Sequence, residues 1–416
     1  MKPTQKSLIL FTMIFIAGSA FSQKMSLQAC IELAMQNNAE LKQNDFSLGQ
    51  ADLNVKNSVS NLMPGISASA SANSQGPVVD EYSSEWNWGV GGSVSQPIYK
   101  PGLFSRIKLS KIEKEMTRIS SDDLKNRIRL DVQSAYYQIL TSDSLIAVYR
   151  ENIRLADEEN RKMQLMVNLG MKRPSDLLKS EVQKGTFESQ MIQEQQNLKS
   201  LMRDLNFLMG RESDAPLSLE AESLASQQVP EFETAFSILL EKNPDLKKAA
   251  KQVAADKLSV CIAREAYLPS ASASYSYNGS KNALSSKYVE SDQVGVQLSL
   301  SLFEGFSRNQ NLQSEKINLA SSELEYATLK REKEQTLRDY YTSLDTQVKL
   351  TEIYRKNLES AQKDFDVVSE QYASGMASIL DLMDARVSLL ESQTNLLKVQ
   401  YSKRILEEQI LYFIGM

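Results

Sequence analysis

The chain contains two copies of one sequence pattern, and the copies are 205 residues apart. Short motifs recur at this one offset over nearly the whole length. They are Asn38–Leu41 with Asn243–Leu246, Leu62–Ser69 with Tyr267–Ser274, Gly170 and Asp176 with Gly375 and Asp381, and Phe207–Gly210 with Tyr412–Gly415. Each copy far exceeds the unit of a solenoid array, which is about 20–50 residues long. The pattern therefore predicts a duplicated domain, with repeats at 23–210 and 231–416 and a linker at 211–230.

The first 22 residues have the features of a secretory signal peptide. Lys2 and Lys6 precede a short apolar run, and small residues follow it before Gln23. Such a run is too short to span a bilayer as a helix. We therefore expect residues 1–22 to be removed and the rest to be exported, with no transmembrane helix.

The composition excludes several classes of function. A net charge of −5 argues against a nucleic-acid partner. The sequence has no histidine, so the commonest general base and metal ligand is missing, and no catalytic, metal or cofactor motif appears. We predict no enzyme activity, no cofactor and no metal site. The cysteines, Cys30 and Cys261, occupy non-equivalent places in the two repeats; we interpret them as small buried residues, with a mutual disulfide as the alternative.

Each repeat contains two segments in which apolar and polar residues alternate, as in a strand with one apolar face. The apolar positions are Ile66 to Ala72 and Trp86 to Val94 in the first repeat, and Ala271 to Tyr277 and Val294 to Leu302 in the second. The opposite positions are small and uncharged, and the length suits a tilted crossing of a membrane in about 9–11 residues. Aromatic residues near the loop ends predict a membrane-interface girdle; these are Trp86, Trp88, Tyr275 and Tyr277. A soluble sandwich is the alternative.

Long helices follow the strands in both repeats. Neither 104–168 nor 306–374 contains proline or glycine, and about 65 helical residues span roughly 95–100 Å. A heptad-like apolar stripe predicts side-by-side packing of helices. We expect the turns to lie at Gly170 and Gly375, followed by returning helices at 176–208 and 379–413. Shorter helices at 29–61 and 234–266 are expected to stack end to end on the returning ones.

Four strands cannot close a barrel, and an open sheet edge is not tolerated in lipid. Because the smallest closed membrane barrels have about eight strands, two, three or four copies would give 8, 12 or 16 strands. The sequence therefore predicts an obligate oligomer with a shared barrel and a helical extension.

The ordered set of motifs resembles the TolC family of outer membrane factors over about 26–416. The resemblance lies in the signal peptide, the duplicated Leu-x-Pro motif before a strand, Gln96–Tyr99, Leu300–Gly305, and Tyr372–Gly375 with Ile379–Ala385. It implies an α+β membrane protein of the outer membrane, with long coiled-coil hairpins forming a periplasmic tunnel. The family is homotrimeric with one 12-stranded barrel, so outer membrane lipid and two other copies are expected partners. The resemblance also implies passive conduction in efflux or type I secretion. The expected partners are a periplasmic adaptor and an inner-membrane pump of RND or ABC type.

The same resemblance implies a pore gate at the tunnel tip. Two acidic residues one helical turn apart match Asp381 and Asp384, and Asp176 is the contribution of the first repeat, where Lys179 replaces the second acid. The gate tyrosine of the family matches Tyr372. A family arginine near the turn is Ala377 here, so we expect Lys172 and Arg173 to serve as partners of Asp381 or Asp384.

A periplasmic coiled-coil adaptor or structural envelope tether is the alternative, because heptad rods also suit those proteins. Such proteins lack a twice-repeated strand pair of the membrane type. The residues do not identify the cargo, since drug efflux, metal efflux and protein secretion share an outer component of this kind.

Overall fold

A computed structural model describes residues 24–75, 85–221, 227–281 and 288–416. The predicted signal peptide and most of the polar loops between paired strands lie outside these residues. The elements of the first half are α1 (Leu27–Asn37), α2 (Ala39–Ser60), β1 (Gly65–Gln75), β2 (Glu85–Tyr99), α3 (Leu103–Asn168) and α4 (Pro174–Leu208). The second half has the same order: α5 (Phe232–Lys242), α6 (Pro244–Glu265), β3 (Ser270–Lys281), β4 (Tyr288–Ser299), α7 (Ser307–Ala373) and α8 (Ile379–Phe413).

The two long helices run without interruption, as their sequences predict. Helix α3 has 66 residues and α7 has 67, so each is about 100 Å long. Each ends at a glycine in the left-handed conformation, Gly170 with φ +70° and Gly375 with φ +80°. The N–H of Met171 donates to the Met166 carbonyl at 2.8 Å, which satisfies a carbonyl of the last turn. Among the described helices, none is both long and apolar enough to cross a bilayer.

The shorter helices differ from the sequence prediction. The prediction of one continuous helix at 29–61 and another at 234–266 is wrong, because an asparagine interrupts each segment. Asn38 leaves the helical conformation with ψ 131°, and its side-chain oxygen accepts hydrogen bonds from the backbone N–H groups of Glu40 and Leu41. Asn243 caps α6 in the same way through Leu246, and Pro244 occupies the first turn. Asparagine side chains compete with the backbone in this manner, so a new helix starts at each.

These asparagines also join the short helices to the returning ones. The amide of Asn38 donates to the carbonyl of Leu208, where α4 ends, at 2.9 Å. Asn243 donates to the carbonyl of Phe413, where α8 ends, also at 2.9 Å. One side chain thus caps the start of one helix and satisfies the end of another. The largest buried cluster lies beside the first joint and includes Tyr136 of α3.

The four strands form one antiparallel sheet in the order β1-β2-β3-β4. The register gives the sheet two distinct faces. One face carries an apolar row of Ile66, Val94, Tyr275 and Val294, and the other carries a polar row of Ser67, Ser93, Ser276 and Gln293. Within the described residues, edge strands β1 and β4 each have one side without a strand partner.

The helices form a single row that continues the sheet. Near the sheet the order is α2-α3-α6-α7, and towards the turns it is α4-α3-α8-α7. Helix α3 therefore lies inside the row in both parts, whereas α7 lies at its edge throughout. The opposite edge is formed by α2 and then by α4.

Candidate functional site at the hairpin tips

The tips of the two hairpins pack against each other within one chain. Leu177 of α4, Met163 of α3 and Ile379 and Leu382 of α8 form one buried cluster. Because this cluster holds both turns at one end of the molecule, the predicted site residues of the two repeats are brought close together.

The predicted acidic pair lies on the first two turns of α8. Asp381 forms a capping box: its carboxylate accepts from the N–H of Ser378 at 2.8 Å, and its own N–H donates to the Ser378 hydroxyl at 3.2 Å. These hydrogen bonds lower the pKa of Asp381, so it stays charged at neutral pH. Asp384 follows one turn later, and both side chains are exposed. In the described residues neither carboxylate forms an ion pair.

The acid of the first repeat has different surroundings. Asp176 lies in the first turn of α4 and is half-buried, whereas Arg173 at the helix start is exposed and makes no side-chain cap. Lys179 is exposed one turn after Asp176. The first tip thus presents mixed charge, and the second tip presents two acids.

Lys172 contacts the tyrosine and not the acidic pair. Its ammonium donates to the backbone carbonyl of Tyr372 at 3.1 Å and lies 3.9 Å from the centre of the Tyr372 ring. The expectation that Lys172 or Arg173 pairs with Asp381 or Asp384 is therefore wrong within one chain. The reason is geometric, because Lys172, in the turn after α3, reaches the end of α7 at Tyr372.

Tyr372 lies in a small groove between α3, α7 and α8. Glu159 and Lys162 line this groove, whose volume is about 140 Å³. Burial raises the pKa of the Tyr372 hydroxyl, and the nearby carboxylates of Asp176 and Glu159 raise it further. Among the described residues, no group accepts or donates a hydrogen bond at this hydroxyl.

An ion pair between a buried arginine and a half-buried glutamate lies behind the tip and was not predicted. Arg386 of α8 is 3% exposed and forms an ion pair with Glu159 of α3. Its guanidinium also lies 5.3 Å from the centre of the Phe365 ring. Burial raises the pKa of Glu159, and the attraction of Arg386 only partly offsets this effect. One sequence signal could have indicated that Arg386 is buried. It lies at helical spacing between Leu382 and Leu389, on the apolar stripe of α8.

Aromatic residues lie at both ends of the apolar sheet face. Trp86 and Trp88 are exposed near the loop end, with ring centres 6.5 Å apart. Tyr275 is exposed, whereas Tyr277 is only partly so. The register pairs Tyr275 with Val94, near the middle of β3, so the prediction that Tyr275 lies in a girdle at the loop end is wrong. The sequence prediction missed an exposed aromatic group near the helices: Tyr99, Phe104, Tyr267, Phe303 and Phe306. Trp88 and Tyr99 on β2 are about 36 Å apart along the strand. If the strand crosses a membrane at a tilt of about 40°, this corresponds to roughly 28 Å along the membrane normal.

Both cysteines are free. Cys30 is fully buried, as expected, but Cys261 is exposed, so the prediction that both are buried is wrong for Cys261. The polar face of α6 carries Cys261, and the apolar pattern around it was too weak to assign a face.

The chain is similar to known proteins in sequence and in structure. The sequence profile of the family described as "Outer membrane efflux protein" matches residues 30–211 and 235–415. The outer membrane protein TolC of Salmonella enteritidis is 20% identical over 305 residues, which cover 69% of this chain and 60% of that protein. The alkaline protease secretion protein AprF of Pseudomonas aeruginosa is 24% identical over 338 residues, covering 78% of this chain and 68% of that protein.

The fold is similar to that of solved outer membrane channels. The structure of the Campylobacter jejuni CmeC outer membrane channel has a TM-score of 0.81 at 18% identity, covering 94% of this chain and 85% of that one. The matched region spans about 60% of the length of the TolC relative.

Proposed function

The chain belongs to the outer membrane efflux protein family, and from this we propose that three copies form an outer membrane channel with a periplasmic tunnel. The channel conducts cargo passively from a periplasmic adaptor and an inner-membrane pump to the exterior of a Gram-negative cell. The pump, of RND or ABC type, supplies the energy and selects the cargo. Relatives named for toluene efflux, cation efflux and protease secretion are compatible with either efflux or type I secretion.

The observation that carries this proposal is the shared pair of edges. The sheet ends at β1 and β4, and the helical row ends at α2 or α4 on one side and α7 on the other. Both layers therefore leave the same two sides of the chain open. One copy can place β4 and α7 against β1, α2 and α4 of the next, and such head-to-tail contacts form a ring when the rotation closes.

The sheet supports a membrane position. Its apolar face carries exposed Val294, Val296 and Leu298, which are 73–79% exposed within one chain. Aromatic groups lie on both sides of this band at a separation close to the thickness that membrane barrels present, about 25 Å. Three copies give 12 strands with the serine-rich face inward, which leaves a water-filled lumen.

An assembly experiment tests the proposal. The full chain without its signal peptide, purified in detergent, should have the mass of three copies by light scattering and should conduct ions in planar bilayers. A periplasmic adaptor or tether would instead be extracted without detergent and would not conduct. A monodisperse monomer with no conductance would reject the channel.

The tips form the gate in this proposal. Three copies of Asp381 and Asp384 would surround the entrance as two acidic rings, with Asp176 behind them. Like charges in a constriction attract counter-cations. The contact between Lys172 and Tyr372 would hold the two tips of each copy together when the entrance is closed.

Asp384 offers the sharper test, because it takes no part in the capping box. Asp384→Asn should reduce cation preference and weaken block by trivalent cations in planar bilayers. Asp176→Asn is the matched control, and it should change selectivity less because Asp176 is half-buried beside Tyr372. Wild-type selectivity in a trimeric Asp384→Asn channel would remove Asp384 from the entrance.

A further inference from the structure

The contact between the two repeats of one chain is a template for the contact between copies. Towards the turns, α3 of the first repeat packs against α8 of the second. In the proposed ring, the next contact joins α7 of one copy to α4 of the following copy, and these helices are equivalent to α3 and α8. The offset of 205 also holds in the structure. Ala156 and Ala361 are both buried, and Tyr136 and Tyr341 each donate to a backbone carbonyl of the linker.

The ion pair between Glu159 and Arg386 has an acidic equivalent in the ring. The residue 205 positions after Glu159 is Asp364 on α7, and the residue 205 positions before Arg386 is Glu181 on α4. Both acids are exposed within one chain, and neither forms an ion pair among the described residues. Two carboxylates of adjacent copies therefore face each other where the chain itself has a carboxylate and a guanidinium. Such a like-charge contact is repulsive.

The groove that receives the next copy is polar and open. It lies between α7 and α8, has a volume of about 440 Å³, and is lined by Asp364, Glu391 and Ser392 among others. Glu391 also lacks an ion pair in the part of the chain that the structure describes. The first repeat has Phe187 at the position of Ser392, and Phe187 is only 2% exposed. The second groove therefore offers little apolar surface to a neighbouring copy.

The helix that enters this groove is also less apolar than its equivalent. Helix α8 carries Leu389 and Leu390, each 5% exposed, whereas α4 has Lys184 and Gly185 at the same positions. Lys184 is already paired with Asp157 of its own chain at 2.7 Å. Because burial of apolar area dominates helix packing, the contact between copies is weaker here than the contact within the chain.

We propose that the tunnel entrance opens along an acidic seam between copies, formed by Asp364 and Glu391 of one copy and Glu181 of the next. This inference rests on the proposed trimeric channel. Within each copy, the pair of Arg386 and Glu159 keeps α3 on α8, so the two hairpins of a copy move together. The entrance widens where adjacent copies separate.

Paired cysteines test where the entrance opens. Asn152 donates to the Gln393 side chain at 3.3 Å within the chain, and the equivalent pair between copies is Asn357 and Glu188. The full chain carries alanine in place of both native cysteines. Asn357→Cys with Glu188→Cys should form disulfides between copies, and oxidation should lower the conductance in planar bilayers about twofold or more, because the seam cannot widen. Reduction should restore it.

Asn152→Cys with Gln393→Cys is the matched control, and oxidation should leave its conductance unchanged. If only this control pair lowers the conductance, the opening lies within a chain and the seam is rejected. A trimer that forms no disulfides between copies, or forms them without a change in conductance, also rejects it. If the unmodified protein is monomeric or does not conduct, the proposed function itself fails.

Charge reversal tests the repulsion. Glu181→Arg reproduces across the seam the ion pair that Arg386 forms within the chain, and should lower the conductance about twofold or more. Adding Asp364→Arg restores like charges and should return the conductance towards that of the wild type. Asp366→Arg makes the same change in charge at an exposed position on the opposite face of α7, and should have no effect. Equal effects of Glu181→Arg and Asp366→Arg, or no effect of Glu181→Arg, would overturn the seam.

Discussion

The long helices α3 and α7 are nearly equal in length and occupy equivalent places in the two repeats, yet their surroundings differ. Helix α3 buries eighteen of its side chains within its own chain, whereas α7 buries three, Ser322, Leu337 and Ala361. Both helices lie wholly within the described residues. Helix α3 has neighbours on both sides, and α7 lies at the edge of the row.

This difference shows that one sequence pattern can produce either a central helix or an edge helix. Helix α7 exposes apolar side chains along its length; four of them, Ile317, Leu324, Ile353 and Val367, share one face at helical spacing. Helix α2 at the other edge exposes Phe46 and Leu53. In the proposed trimer these two edges cover each other, so the stability of α7 depends on a neighbouring copy.

The largest effect is expected at this edge. Leu324→Asp should prevent trimer formation, because each of three interfaces loses the burial of a leucine, about 1.5–3 kcal/mol, and would bury an unpaired charge. Light scattering in detergent should show monomers or aggregates. Lys330→Asp, at an exposed position on another face of the same helix, should leave the trimer intact. An intact Leu324→Asp trimer would mean that α7 is covered in another way.

A smaller but still large effect on stability is expected for the ion pair between Glu159 of α3 and Arg386 of α8. Arg386→Met leaves the half-buried carboxylate of Glu159 unpaired, which should lower stability by up to about 3 kcal/mol. Adding Glu159→Leu should recover most of the loss. Glu181 is the control, because it is exposed and lies at the position of the first repeat that corresponds to Arg386, 205 residues earlier. Glu181→Ala should change stability by less than about 0.5 kcal/mol.

The deficit of the Arg386→Met variant should depend on pH with a defined sign. Burial already raises the pKa of Glu159, and removal of Arg386 removes the main group that lowers it, which leaves only the weaker effect of Lys162. The folded variant therefore binds a proton more readily than the unfolded chain, so its stability increases as pH falls through the raised pKa. Thermal unfolding in detergent at several pH values measures this trend. A deficit that grows on acidification would contradict it.

Loss of the capping asparagine should lower stability by different, moderate amounts in the two repeats. Asn38→Ala removes two capping hydrogen bonds and the bond to Leu208, and should cost about 2 kcal/mol. Asn243→Ala removes one capping bond and the bond to Phe413, and Pro244 still favours the helix start. Its cost should be about 1–1.5 kcal/mol. Equal shifts of the unfolding temperature would show that the extra cap at Asn38 contributes nothing.

The smallest effect concerns the cysteines. Burial raises the pKa of the Cys30 thiol to about 11, so almost none of it is thiolate at pH 7.5. We expect maleimide to label Cys261 in the folded protein and Cys30 only after unfolding, with mass spectrometry locating the adduct. A Cys261→Ser variant that is still labelled when folded would show that the α1 region opens.

Much of the fold follows from short-range patterns. The long helices, the strand pairs and the turns at Gly170 and Gly375 depend on residues within a few positions of each other, so their sequence signals are direct. The break at Asn38 was missed because helical periodicity continues across it. Its cap on Glu40 and Leu41 and its bond to Leu208 show why a new helix starts there. The family resemblance is confirmed, whereas the roles of Asp381 and Asp384 stay predictions.

The sequence alone determined the duplication, the type of each element and the chemical character of each face, because periodicity and capping are local properties. The tertiary structure alone decided that Lys172 contacts Tyr372, that Arg386 pairs with Glu159, and that α3 is central while α7 is at the edge. Lys172 and Tyr372 are 200 residues apart along the chain. Contacts over such a separation depend on which helix faces meet, and two nearly equivalent repeats offer the same faces until packing assigns each helix its neighbours.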